Sequence, residues 1–212
     1  QDFEIIRAVI NIPSLEWEIA DGNVAHITLF HFSDQASRAF STAAGEILSS
    51  SADRIVLDLR NNPGGFLEVS VDIAGWFLER GEVVVIEDFG GSYAEQTYEA
   101  RGNGRLGSYP LVILMNEGSA SAAEILAGAL RDHKGAKIVG EKSFGKGSVQ
   151  ELESLAGDAS LKVTVANWLT PLRSLITDVG LEPDFRVELT PEDFDQGLDP
   201  QLDKALELVR DL

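Results

Sequence analysis

The sequence contains no cysteine, one methionine and three histidines among its 212 residues. Without cysteine there is no disulfide framework, no thiol nucleophile and no zinc–thiolate site. The absence fits any compartment, with a slight lean to the outside of the cytosol. His26, His31 and His133 share no ligand spacing of the H-x-x-x-H kind, so a metal centre finds no support in them. Positive charge is also scarce. Lys and Arg number 17 against 35 Asp and Glu, a formal net charge of −18, which argues against nucleic acid and anionic membrane surfaces as partners. No apolar run approaches the ~18 residues of a membrane span, and no signal-peptide pattern opens the chain. It starts at Gln1 in what already reads as a strand, so a processed or trimmed piece is expected.

What is present is enough to fold. A hydrophobic content of 44% in a chain of this length can bury one core, or one and a half. The apolar pattern predicts strands over Phe3–Ile12, Leu15–Ile19 and Asn23–Phe30, then a helix through Arg38–Leu48 capped by Asp34. Arg54–Leu59 reads as a dense strand, Phe66–Leu78 as a helix, Gly81–Ile86 as a strand and Glu87–Tyr109 as a polar excursion with a hairpin. Strands Ser148–Leu155 and Leu161–Leu169 flank the turn Gly157-Asp158. Asp184–Leu189 is a last strand and Leu202–Val209 a closing helix. Strands alternating with helices imply an α/β domain with a largely buried sheet.

The stretch from Leu111 to Gln150 organises the rest. A buried strand, Leu111–Met115, meets the turn Asn116-Glu117-Gly118, the small-residue patch Ser119–Ala123 and a helix over Glu124–Leu130. A serine at such a strand-to-helix junction exposes its hydroxyl beside the free N–H groups of the helix start. A second short strand, Ala136–Gly140, runs into the glycine-rich loop Gly140–Gly147, which holds Lys146. Three motifs compete for attention. Gly102–Gly107 satisfies G-x-G-x-x-G, but no strand directly precedes it and no helix follows, so a flexible turn is the default. Gly140–Lys146 matches most of a phosphate-binding P-loop, with Gly147 where a serine or threonine would hold magnesium. Ser143-Phe144-Gly145-Lys146 fits S-x-x-K without its companion motifs. Each histidine reads as structural or solvated, although a Ser-His-Asp triad through His133 stays open.

At these residues a family resemblance emerges. Asn116–Ile125 (NEGSASAAEI) and Ser143–Gln150 (SFGKGSVQ) resemble the signature blocks of the C-terminal processing peptidases, or tail-specific proteases, which use a Ser-Lys dyad. Leu57–Gly65 (LDLRNNPGG) resembles a third block, and Ala166–Pro171 (ANWLTP) with Gly180–Asp184 (GLEPD) a fourth. Phe3–Pro13 resembles the segment that joins the family's PDZ domain to its protease core. The resemblance implies an α/β fold: a crotonase/Clp-like ββα spiral core with a β-rich flank built from both chain ends. It divides the chain into residues 1–22, joining from a missing PDZ domain, a protease core at 23–190, and a tail helix at 191–212. The family's nucleophile falls on Ser121, its general base on Lys146, 25 residues on, and a supporting glutamine on Gln150, four further. Ser119, the rival serine, is read as a small packing residue. The oxyanion donors implied are Ala122 and a glycine of the Pro63-Gly64-Gly65 turn, Gly65 ahead of Gly64. Asp132 matches a position linked to activity in some relatives and is read as a helix-end structural acid.

The chemistry fits these residue types. A serine hydroxyl is a poor nucleophile until a neighbour takes its proton, and a lysine, titrating at about 10.4 in water, must be desolvated to do so. Phe144 and the nearby apolar strands are expected to supply that desolvation, with the Gln150 amide orienting the amine without adding charge. The implied activity is a serine endopeptidase that cleaves near the apolar C-terminal tails of unfolded or precursor proteins through an acyl-enzyme. No cofactor and no metal are implied. The implied partners are protein or peptide substrates, with room for a homo-oligomer or an adaptor protein. The implied location is extracytoplasmic: a bacterial periplasm or cell wall, or a plastid lumen. Ala123 stands where many relatives carry a third serine, and Leu172-Arg173-Ser174 departs from a glycine-bearing turn. Two other readings stay beside this one: a catalytically silent core kept for binding or assembly, and an acyl-CoA hydrolase or isomerase on the crotonase layout.

Overall fold

The computed structural model describes residues 13–157 and 159–212. The strand expected over Phe3–Ile12 lies outside them. A six-stranded sheet forms the centre, in the order β1-β2-β3-β6-β7-β10. β1 (Leu15–Ala20) runs antiparallel to β2 (Val24–Leu29), while β2, β3 (Arg54–Asp58), β6 (Leu111–Met115), β7 (Lys137–Gly140) and β10 (Phe185–Arg186) are parallel neighbours. The dense apolar runs of β3 and β6 exist because both sheet faces are covered. Ile55, Leu57, Leu111, Ile113 and Met115 pack toward α1 (Ala36–Ile47), α2 (Leu67–Ala74) and α3 (Ala122–Lys134). Val56, Val112 and Leu114 point the other way, against Ala205 and Val209 of α5 (Pro200–Asp211). A second, antiparallel sheet of four strands flanks this centre in the order β5-β4-β9-β8. Its members are β4 (Val83–Asp88), β5 (Gln96–Glu99), β8 (Ser148–Ser154) and β9 (Ser160–Leu169). The two chain ends supply the edge strands β1 and β10 of the first sheet and the helix that covers its far face.

Several boundaries differ from the sequence pattern. Asp34 does not cap α1; the helix starts after Gln35 without a side-chain cap, its first N–H bonding the Ser33 carbonyl. α2 stops at Ala74 rather than Leu78 because Gly75 meets Gly102: a Cβ on Gly75 would lie 2.6 Å from the Gly102 nitrogen. The Gly102–Gly107 motif is thereby explained as packing, with Gly104 N–H bonded to Gly75 O and Leu106 N–H to Trp76 O. β10 is two residues long instead of spanning Asp184–Leu189. The tail holds two helices, because Thr190 and Asp193 cap each other's backbone and open a short α4 (Pro191–Gln196) before Gly197 turns the chain.

One buried ionic cluster ties the tail to the sheet. Arg60, just past β3, donates to Asp58 (2.6 Å), to Asp199 (2.8 Å) and to Gln201 (3.1 Å). Asp199 also caps α5 by accepting the Leu202 N–H at 2.9 Å. Burial alone would raise the Asp58 carboxyl; the His26 ring, 3.5 Å away, and the Arg60 guanidinium, at shorter range, outweigh it and hold the group below its ordinary value. A folded-state value below the unfolded one stabilises fully above about pH 4, and that stabilisation fades as pH falls through the folded value. Asp58→Asn removes one of the two carboxylates on Arg60 and leaves Asp199 as its partner, so it should cost about 1–3 kcal/mol at pH 7. The gap to the parent chain should narrow below about pH 4, read as urea midpoints at the two pH values.

Candidate active site

Three loops leave the carboxyl ends of the neighbouring strands β3, β6 and β7, which is where sheets of parallel strands gather their ligands. The first two are laced together. Asn116 Oδ1 accepts the Asn61 N–H at 2.8 Å, Ser119 Oγ donates to Leu59 O at 2.8 Å, and Ala120 N–H bonds Asn62 O at 2.9 Å. Ser119 is fully buried and both sides of its hydroxyl are engaged, since it also accepts the Asn116 N–H. It is a brace between loops.

Two residues later the chain makes its sharpest turn. Ser121 has φ 56° and ψ −117°, a conformation that costs a non-glycine residue about 1–3 kcal/mol, and α3 begins immediately after it. Such strand-to-helix elbows lift a serine side chain out of the loop. The Ala122 N–H, in the first turn of α3, has no acceptor within the helix and none elsewhere among the described residues.

Glu124 closes the elbow. Its side chain is completely buried, yet no cation pairs with it among the described residues. Instead it accepts four hydrogen bonds. Oε2 takes the backbone N–H of Ser121 (2.9 Å) and of Lys146 (2.8 Å); Oε1 takes the Ser143 hydroxyl (2.6 Å) and the Gly145 N–H (2.7 Å). Ser143 Oγ in turn accepts the Leu181 N–H at 2.7 Å. The glycine-rich loop therefore does cradle an anion, as its P-loop likeness suggested, but the anion is a side chain of this protein. Ser121 and Lys146 meet at one carboxylate oxygen.

The third wall is Asn62–Gly65. Buried Asn62 donates to Leu29 O and accepts the Gly64 N–H at 2.9 Å. Gly64 (φ 94°) presses so closely on the elbow that a Cβ there would lie 2.8 Å from Ser121 Cβ and 2.9 Å from the Ala122 nitrogen. At Gly65 a parallel bridge to Phe32 engages Gly64 O and Phe66 N–H, so the Gly65 N–H faces away from that bridge and meets no acceptor among the described residues. Gly64 has no free donor to offer. Gly65 and Ala122 each have one.

The remaining candidates separate. The Lys146 side chain is exposed and its Nζ makes no hydrogen bond or ion pair among the described residues; Phe144 is 67% exposed. The expected desolvation of Lys146 by Phe144 is therefore not supplied within these residues. Gln150 lies exposed on β8, paired through its backbone position with Thr164. His133 and Asp132 sit at the far end of α3, ~16–18 Å along the helix from Ser121 at 1.5 Å per residue. His133 bonds Val83 O at 2.7 Å, and Asp132 accepts the Leu172 N–H at 2.9 Å, so both are structural and no triad through His133 forms. Sequence reasoning missed Glu124 and Asn62. The S-x-x-E spacing of Ser121 and Glu124, a capping-box signature, was the available signal for the first.

Glu124→Gln replaces one acceptor oxygen by a donor against two N–H or O–H groups. It should lower stability by about 1–3 kcal/mol and slow fluorophosphonate labelling of Ser121, read by thermal denaturation and mass spectrometry. Ser119→Ala should leave labelling in place.

Comparison with known proteins places the chain in a family. Residues 23–187 match Peptidase family S41. A carboxyl-terminal-processing protease from Synechocystis sp. is 37% identical over 99% of this chain and 50% of its own length. A chloroplastic C-terminal processing peptidase from Tetradesmus obliquus is 38% identical over 82% of this chain and 36% of its own. The solved photosystem II D1 C-terminal processing protease superposes with a TM-score of 0.76 at 31% identity, over 88% of this chain and 52% of that one. The chain spans between about a third and a half of the length of these relatives. The family match over most of the chain and the identity to these relatives lead to one assignment: the chain belongs to peptidase family S41.

Proposed function

We propose that the chain carries the catalytic core of a serine endopeptidase in which Ser121 is the nucleophile and Lys146 the general base. The observation that carries this reading is the junction at Glu124, which holds the strained serine and the lysine loop on one oxygen with two unpaired N–H groups alongside. In the reaction, Lys146 as the free amine removes the Ser121 proton while Oγ attacks the peptide carbonyl. The developing oxyanion is met by the N–H groups of Gly65 and Ala122. The amine that leaves takes the proton from Lys146, and water then hydrolyses the acyl-enzyme by the same steps in reverse. Gln150 orients the lysine head. Because Lys146 is exposed in the free chain, its desolvation falls to the bound substrate.

By analogy with relatives named as C-terminal processing proteases, the substrates are unfolded or precursor proteins cut near apolar C-terminal tails. The chloroplastic relative supports work outside a cytoplasm. No helix among the described residues is long and apolar enough to cross a membrane. Oligomers or adaptor proteins would then act on a core of residues 23–190.

The test is digestion of an unfolded protein with an apolar C-terminus. Ser121→Ala and Lys146→Ala should each lower kcat/KM by about 1000-fold or more, with unchanged thermal midpoints. Cleavage that survives in Ser121→Ala would sink this assignment. Turnover of acyl-CoA thioesters with no proteolysis would favour the crotonase-type reading.

A further inference from the structure

β8 is the last strand of the second sheet, so one of its edges has no neighbour among the described residues. Which backbone groups lie on that edge follows from two hydrogen bonds at its ends. Leu155 N–H bonds Ala159 O at 2.8 Å, and Trp168 N–H bonds Gly147 O at 2.6 Å. Along an antiparallel strand, successive residues point their N–H and C=O alternately to the two sides. Gly147, Val149, Glu151, Glu153 and Leu155 therefore face β9, while Ser148, Gln150, Leu152 and Ser154 present theirs outward. The irregularity near Val149 does not break this alternation, because the extra residue, Val165, is on β9. Both ends of β8 give the same parity.

Lys146 lies two residues ahead of β8, and its own N–H leaves the sheet. There it meets Glu124 Oε2, the oxygen that also binds the Ser121 N–H. The open edge of β8 thus begins within two residues of the junction that holds Ser121. From Gln150 onward β8 is exposed, and it carries no lysine or proline of the kind that blocks strand addition. Glu151 and Glu153 stand on one face, opposite Val163 and Leu161. An added strand would place every second side chain beside those carboxylates, where a basic residue is favoured.

We propose that the outer edge of β8 is the substrate-docking strand: an extended polypeptide with basic residues at alternate positions adds to it as a fifth strand and is led to Ser121. This deepens the peptidase reading and rests on it for the identity of Ser121. Recognition is by backbone pairing, with Glu151 and Glu153 setting the register.

The experiment measures fluorescence anisotropy of a fluorescein-labelled eight-residue peptide of alternating lysine and valine, bound to the Ser121→Ala chain so that no turnover occurs. N-methylation of the peptide, one position at a time, should show a period of two. Methyls on sheet-facing N–H groups should weaken binding about fivefold each, and the intervening ones little. Leu152→Pro, which removes an outward N–H that β9 does not use, should weaken binding similarly. The double change Glu151→Gln with Glu153→Gln should cost about threefold or more for the lysine peptide. Uniform effects of methylation, indifference to these variants, or no binding at millimolar peptide would each overturn the proposal. Fluorophosphonate labelling of the unaltered chain reports on Ser121 separately: period-two binding without labelling would keep the docking strand and remove the peptidase reading.

Discussion

A carboxylate buried with no cation beside it among the described residues is tolerable only when donors surround it, and Glu124 has four. That requirement fixes most of what lies around it. To satisfy Glu124, the loop after β7 must fold back onto the start of α3, and Ser121 must turn its N–H inward. Both come at the cost of a strained serine and an unusually tight glycine loop. Leu181 is recruited as well, through Ser143, so a segment from beyond the second sheet takes part in the same junction. Remove the charge and three separate pieces of chain lose their common partner.

The first sheet makes that junction possible. β3, β6 and β7 are adjacent and parallel, so their trailing loops emerge side by side although they lie far apart in sequence. The backbone then does the fine placement. Gly64 lies too close to Ser121 and Ala122 for any side chain, and Asn62 holds it there by taking its N–H. Gly65 is left with a donor aimed elsewhere. The division between a glycine that packs and a glycine that donates comes from one asparagine.

Much of this was readable from residues alone. Dense apolar runs such as Arg54–Leu59 and Leu111–Met115 announce strands buried on both faces, and the signature blocks around Ser121 and Lys146 mark two loops that the fold brings together. Contacts between distant small groups were not readable. The end of α2 is set by Gly75 meeting Gly102, which no helical period reveals. Glu124 looked like one more acid at the start of a helix, because its partners Ser143, Gly145 and Lys146 are near it only after folding. Lys146 was expected to be sheltered by Phe144, but an apolar neighbour in sequence shelters nothing when its own ring faces solvent. The short α4 had its signal, Thr190 with Pro191 and Asp193, and was overlooked because six residues leave no apolar period to notice.

Arg60 sits one residue ahead of the loop that carries Asn62 and the paired glycines, and two of its partners, Asp199 and Gln201, come 139 and 141 residues later. During synthesis Ser121, Lys146 and the paired glycines are all made before those partners exist. A nascent chain therefore holds these residues while Arg60, at the base of the glycine loop, is paired with Asp58 alone. The hold of Asp199 and Gln201 on Arg60 comes only with α5, so translation order makes the tail the later of the two grips on that loop.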